Sequence, residues 1–233
     1  MKSNAMVMMA NKNNRSSIWC LLVSVWIALP LSLTGLTTEA KAHGHREQII
    51  PIVGVTLGQG REPTGMVTNL LLTFEERTDQ GGLAVLFRSA PGRFSPLAQT
   101  AVQQAIYRTA KAAGLSTDTW TVILSVPDPG LTVHGDSLSA MVGLSVIALA
   151  KGEFIPPDRL ITGTVTPDGN IARVGSVPLK VDAANLAHIR RVLVPEEQDV
   201  GDADWETPFL MQVSPVGSVS QAYWALTDHP LHP

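Results

Sequence analysis

Ser137 and Lys180 stand 43 residues apart, with Thr162 between them, in the stretch HGDSLSAMVGLSVIALAKGEFIPPDRLITGTVTPDGNIARVGSVPLKVDAA. A serine hydroxyl is a poor nucleophile at neutral pH unless a neighbouring base takes its proton. A lysine amine can be that base only when its ammonium form is disfavoured, and burial beside an apolar helix lowers its pKa in that sense. Ser137 precedes a long apolar run, which predicts a buried helix from Ser137 to Lys151. A serine in the first turn of such a helix lies near free backbone N–H groups and the positive end of the helix dipole, both suited to a developing oxyanion. A Ser–Lys pair of this kind needs neither histidine nor aspartate. Taken singly, the two residues have simpler readings, an N-capping serine and a solvated lysine. Their combination with the residues between them is what points to chemistry.

Interval for interval, this stretch resembles the proteolytic domain of the Lon proteases, peptidase family S16. In that family the nucleophile lies in a G-P-S-A-G turn that opens a buried helix. A T-G-E-x-x-x-x-G hairpin follows, then a Gly-Gly pair and the lysine of the dyad. Without a gap, Ser137 falls on the nucleophile, Thr162 and Gly163 on the T-G, Gly169 on the hairpin glycine, Gly175 on the first paired glycine and Lys180 on the lysine. The match runs on through RRVLVP to Pro195. The resemblance implies Ser137 as nucleophile, Lys180 as general base and Thr162 holding the lysine amine. It also implies an α/β (α+β) fold of the ribosomal protein S5 domain 2-like type, a polypeptide substrate, and a possible homo-oligomer, because Lon domains form rings. The chain departs from the pattern at Asp136 (proline in the family), Leu138 and Ser139 (alanine and glycine), His134 (acidic) and Thr164 (glutamate). These changes bear on the turn and its oxyanion donors, hence on efficiency and specificity, and leave the dyad intact.

A second reading competes for the same serine. Gly135-Asp136-Ser137-Leu138 spells the G-D-S-L string of a family of esterases and lipases. Those enzymes carry the string near the N-terminus and need a later D-x-x-H pair. Here it lies past the middle of the chain, and Asp228 is followed by His229 and His232, at spacings of one and four. The esterase is therefore the alternative reading, and a catalytically silent binding module on the Lon-like fold is a third.

Residues 1–42 have the layout of a secretory signal peptide: Lys2, Lys12 and Arg15, then the apolar IWCLLVSVWIALPLSLTGL, then Ala40-Lys41-Ala42 as a cleavage site. The expectation is an exported protein, periplasmic or extracellular, starting at His43. The alternative is a membrane anchor formed by residues 18–36, which nearly reach spanning length. Residues 43–233 then form a single domain, with residues 50–228 as the part resembling the Lon domain. Cleavage would leave 13 basic and 19 acidic residues, a net charge of −6, with the lone Cys20 removed. Such a domain depends on its core for stability, without disulfides. No basic patch suggests nucleic acid.

The rest of the chain reads as alternating elements. IIPIVGVTL, TGMVTNLLLTFEE and GGLAVLFRS have the β-branched content of strands. Ser95-Pro96 opens a helix running to Gly114, with Leu97, Ala98, Ala101, Val102, Ala105 and Ile106 on its apolar face. TWTVILSVP is a buried strand, LITGTV and IARVGSV form a hairpin about Pro167-Asp168-Gly169, and Lys180 opens the next helix. RRVLVP and PFLMQVSPV are strands, and GSVSQAYWALTD is a final helix.

No G-x-x-x-x-G-K-[ST] string occurs, so the sequence predicts no ATP binding and no cofactor. GVTLGQG is a turn signal and not a dinucleotide fingerprint. The six histidines lack H-E-x-x-H or cysteine partners, so no zinc site is expected. His43 and His45 beside a new N-terminal amine could bind copper or nickel, though a disordered polar terminus explains them more simply. His134 alone among the histidines is placed near Ser137.

Overall fold

The computed structural model describes residues 44–57, 62–197, 202 and 205–231. The expected targeting segment, its cleavage site and His43 lie outside these residues. Among the described residues no helix is long and apolar enough to cross a membrane.

A four-stranded sheet is built from β1 (Arg46–Leu57), β2 (Pro63–Glu76), β5 (Trp120–Ser125) and β3 (Ala84–Phe87), in the order β1-β2-β5-β3. The first two pairings are antiparallel and the last is parallel. Alternation along β2 buries Thr68, Leu70, Leu72 and Phe74, the period of a strand with one face on a core. Two helices fill that core, α1 (Pro96–Ala112) and α2 (Ser139–Lys151). Ser95 caps α1 by accepting the Ala98 N–H at 3.2 Å, with Pro96 at the first helical position, as the sequence predicts. Of the expected apolar face, Ala98, Val102, Ala105 and Ile106 are buried, whereas Leu97 is exposed.

Every residue of α2 from Ser139 to Leu149 is buried, so an apolar helix was correctly legible, but it starts two residues later than expected. Ser137 and Leu138 form a turn in front of it. Gly152 ends the helix in the left-handed conformation, at φ 79°. Gly143 lets α1 and α2 approach closely, since a Cβ there would stand 2.6 Å from Thr109 Oγ1 and 3.1 Å from the Ala105 carbonyl oxygen.

A second, parallel sheet comprises β7 (Arg159–Ile161), β10 (Arg191–Pro195) and β11 (Gln212–Val216), with β10 central. Two short pairs complete the strands: β4 (Arg93–Phe94) with β6 (Thr132–Val133), and β8 (Thr164–Val165) with β9 (Ile171–Ala172). The expected hairpin is thus corrected. LITGTV divides at Thr162-Gly163: its first half joins the parallel sheet, and only its second half pairs across the Pro-Asp-Gly turn. α3 (Val177–Leu186) follows, with Lys180 its fourth residue and not its first. α4 (Val219–Thr227), capped by Ser218, closes the chain. The strand before α4 is shorter than expected, because Phe209 and Leu210 lie in an exposed turn.

Candidate active site

The break in LITGTV brings the serine turn and the threonine together. The Gly163 N–H donates to the Ser137 carbonyl at 2.9 Å, and the Ala140 N–H donates to the Gly163 carbonyl at 3.1 Å. The segment at Ser137 is therefore stitched to Thr162-Gly163 like two strands, while the Thr162 N–H reaches the Leu193 carbonyl of β10 at 3.0 Å. Gly163 is the residue this crossing tolerates: a Cβ there would come within 2.8 Å of Ile171 Cγ2. Thr162 is fully buried, and its Oγ1 has no hydrogen-bond partner among the described residues. An unpaired buried hydroxyl costs on the order of 1–3 kcal/mol, so its retention calls for a functional reason.

Lys180 is only 4% exposed. Its helix α3 is pressed onto β2 at Gly65, where a Cβ would meet the Leu179 carbonyl oxygen at 2.0 Å. Burial lowers the lysine pKa from 10.5 to about 8, opposed by the carboxylates of Asp136 and Asp202, which favour the ammonium form. Asp136 is the residue before Ser137, so the carboxylate of the serine turn is one of the two charges that favour the ammonium form. An amine that titrates near 8 is neutral in a useful fraction at physiological pH and can accept a hydroxyl proton.

The helix start differs in detail from the expectation. The Ser139 N–H is committed to the Asp136 carbonyl at 2.9 Å and the Ala140 N–H to Gly163. Among the described residues the N–H groups of Ser137 and Leu138, unlike those of Ser139 and Ala140, are left without a backbone acceptor. Gly135, at φ 81°, turns the chain into this position.

Ser137 is half-buried at one end of a groove of about 210 Å³. Ile52 to Thr56 of β1, Leu131 to His134, Met66 and Thr68 line the groove. His134 does lie beside the site, as the sequence suggests. Thr68 donates its hydroxyl to Asp128. The remaining histidine readings are bland: His45 approaches Glu75 at 3.2 Å, and no group of three or more potential ligands is arranged to hold a metal among the described residues. The esterase alternative finds no support here. Asp228 is bound to Arg159 at 2.5 Å and to Arg191 at 3.4 Å, and His229 faces Glu153 at 3.2 Å. Neither lines the groove at Ser137.

Sequence reasoning missed Asp202 and the groove wall on β1. Asp202 has no distinguishing local pattern. Gly54, which leaves open space on β1 opposite Met66, could have been suspected only as a lone glycine within a strand.

The comparisons agree with this architecture. Residues 96–221 match the family described as the Lon protease (S16) C-terminal proteolytic domain. The archaeal Lon protease of Methanothermobacter thermautotrophicus is 30% identical over 131 residues, 54% of this chain and 20% of that protein. That of Archaeoglobus fulgidus is 28% identical over 134 residues, 57% of this chain and 21% of that protein. The Lon protease of Azorhizobium caulinodans is 26% identical over 108 residues, covering 45% and 13% of the two chains. This chain belongs to the Lon protease (S16) C-terminal proteolytic domain family, a class of serine peptidase domains with the mixed α/β fold described above. It spans about a fifth or less of the length of these relatives.

Proposed function

We propose that this chain is a serine endopeptidase in which Ser137 attacks the peptide carbonyl, Lys180 takes the hydroxyl proton and Thr162 fixes the lysine amine. The observation that carries the reading is the backbone tie between the Ser137 turn and Thr162-Gly163, together with a lysine that is only 4% exposed and whose pKa burial lowers to about 8. Proton transfer from Oγ to Nζ accompanies formation of the Oγ–C bond, and the N–H groups of Ser137 and Leu138 face the oxyanion. Collapse breaks the C–N bond as Nζ returns the proton to the leaving amine, and water then hydrolyses the acyl-enzyme by the same route. Thr162 Oγ1 makes no hydrogen bond to the amine in the structure, and we infer that it takes one up during catalysis.

A polypeptide substrate is supported by the groove. β1 is the outer strand of its sheet, and its Ile52 to Thr56 stretch walls the groove beside Ser137. An outer strand offers main-chain donors and acceptors to an extended segment. We read the substrate as a flexible segment, and the signal-like layout of residues 1–42 supports action outside the cytoplasm, independent of ATP.

The test is covalent labelling by a fluorophosphonate or peptide boronate, with hydrolysis of an unfolded polypeptide measured in parallel. Wild type should be labelled and active, while Ser137→Ala should be neither and Lys180→Ala should be strongly impaired. A folded wild-type protein that takes no label would favour a silent binding module. Ester turnover indifferent to Lys180→Ala would favour the esterase.

A further inference from the structure

α3 begins without a cap of its own. Ser176, at its N-cap position, is left-handed at φ 58° and makes no side-chain capping bond, and the first turn contains no acidic residue. The carboxylate of Asp202 does the capping from 25 to 26 residues downstream, accepting the Ser176 N–H at 3.0 Å and the Val177 N–H at 3.1 Å. The bond network then leads straight to the lysine, because the Lys180 N–H donates to the Ser176 carbonyl at 3.2 Å. One peptide unit away from the carboxylate, the same residue holds the backbone of the proposed base.

We propose that Asp202 is a positioning residue for Lys180: the loop after β10 lends its carboxylate to α3, ties down the first turn and so aims the lysine at the serine turn. The proposal rests on the dyad reading given above. Two properties of Asp202 act together. Its hydrogen bonds hold the helix start, where unsatisfied N–H groups would otherwise fray the turn. Its negative charge favours the ammonium form of Lys180 and partly offsets the burial that disfavours it. The other group that faces the lysine in this way is Asp136, on the serine turn. On β1 and β2 beside Gly65, Val53 to Thr56 and Thr64 to Val67 carry no charge. Asp182 is the only other titratable residue on α3, and it is not among the groups that shift the lysine.

The two properties are separable by substitution. Asp202→Asn keeps a carbonyl acceptor for one N–H and removes the charge, while Asp202→Ala removes both. With an unfolded polypeptide as substrate, Asp202→Ala should lose kcat by on the order of tenfold to a hundredfold with little change in KM, and Asp202→Asn should recover part of it. In both variants the rise of activity with pH should move to lower pH, because a carboxylate that favours the protonated lysine is gone. A merely structural role would lower activity in proportion to the folded fraction and leave the pH profile in place.

The lysine itself is also followed directly. Lys111, Lys151 and Lys180 are the only lysines among the described residues, so a 13Cε-lysine titration by NMR is readily assigned with Lys180→Arg. A Lys180 resonance that titrates at lower pH in Asp202→Asn than in wild type supports the proposal even if wild type proves to have no peptidase activity, an outcome that would sink the dyad reading alone. Identical Lys180 titrations in wild type and Asp202→Asn, with unchanged pH profiles, would overturn it. Should Asp202→Ala fail to fold, the Asp202→Asn comparison decides.

Discussion

The proposed base should be a liability to the fold, and removing it should stabilise the protein. A lysine whose pKa falls from 10.5 to about 8 on folding is held in a site that rejects its charged form. At about 1.36 kcal/mol for each tenfold change in proton affinity, that lowering corresponds to roughly 3 kcal/mol lost at neutral pH. The sign follows from proton counting. Below pH 8 both folded and unfolded chains keep the proton, so the full penalty is present. Between about 8 and 10.5 the folded chain has released it and the unfolded chain has not, so stability rises with pH and the penalty fades. Lys180→Met keeps an unbranched side chain of similar bulk and removes the charge. The variant should therefore melt roughly 6–12 °C higher than wild type at pH 7, at about 2–4 °C per kcal/mol for a domain of this size. The gap should close toward pH 10, and peptidase activity should be absent throughout. Thermal and urea unfolding of both proteins at pH 7 and pH 10 measure it. A Lys180→Met protein less stable than wild type at pH 7, or a gap indifferent to pH, would refute the claim that a desolvated lysine is stored here for chemistry.

Thr162→Val keeps the shape of a fully buried residue and deletes a hydroxyl that has no partner among the described residues. Turnover should fall on the order of a hundredfold while the melting temperature holds or rises, and a Thr162→Val enzyme with full kcat would make the hairpin mere scaffold. Gly65→Ala puts a Cβ 2.0 Å from the Leu179 carbonyl oxygen, so α3 must shift off β2. Activity should be lost well beyond the loss of folded protein seen by circular dichroism, and equal losses would argue that α3 is not the element that aims the base. Gly54→Val meets open space, since nothing lies within 4 Å of a Cβ there. The variant should fold normally and raise KM for an unfolded polypeptide severalfold, whereas the rate of fluorophosphonate labelling should stay close to wild type. A KM that does not move would place the substrate elsewhere than along β1.

Much of the site was readable before any coordinates, because its parts are local. The apolar run after Ser137 demanded a buried helix, and Ala140 to Leu149 leave no polar face with which to meet water. Ser95-Pro96 announced α1 through capping chemistry that acts within a single turn. Ser137 lies in the turn before α2, Thr162 at the break between β7 and β8, and Lys180 within α3, so their spacing in the sequence follows from the lengths of the elements between them. The sequence could not say that LITGTV would divide, since Leu160, Ile161, Thr162, Thr164 and Val165 all suit a strand and a lone Gly163 does not by itself place a break. Pairing with Arg191 to Leu193 on one side and with Ile171-Ala172 on the other decided it, and Thr162-Gly163 fell at the crossing. The fate of Lys180 was likewise open. Its neighbours on α3 do not say whether it faces water, and only the docking of that helix on Gly65 removed it from solvent. The carboxylate that caps the helix arrives from Asp202, far along the chain, where no local pattern marks it. Patterning specifies which elements form because it depends on residues a turn or two apart. Burial of a charge depends on which surfaces meet, and that is settled only when the elements pack.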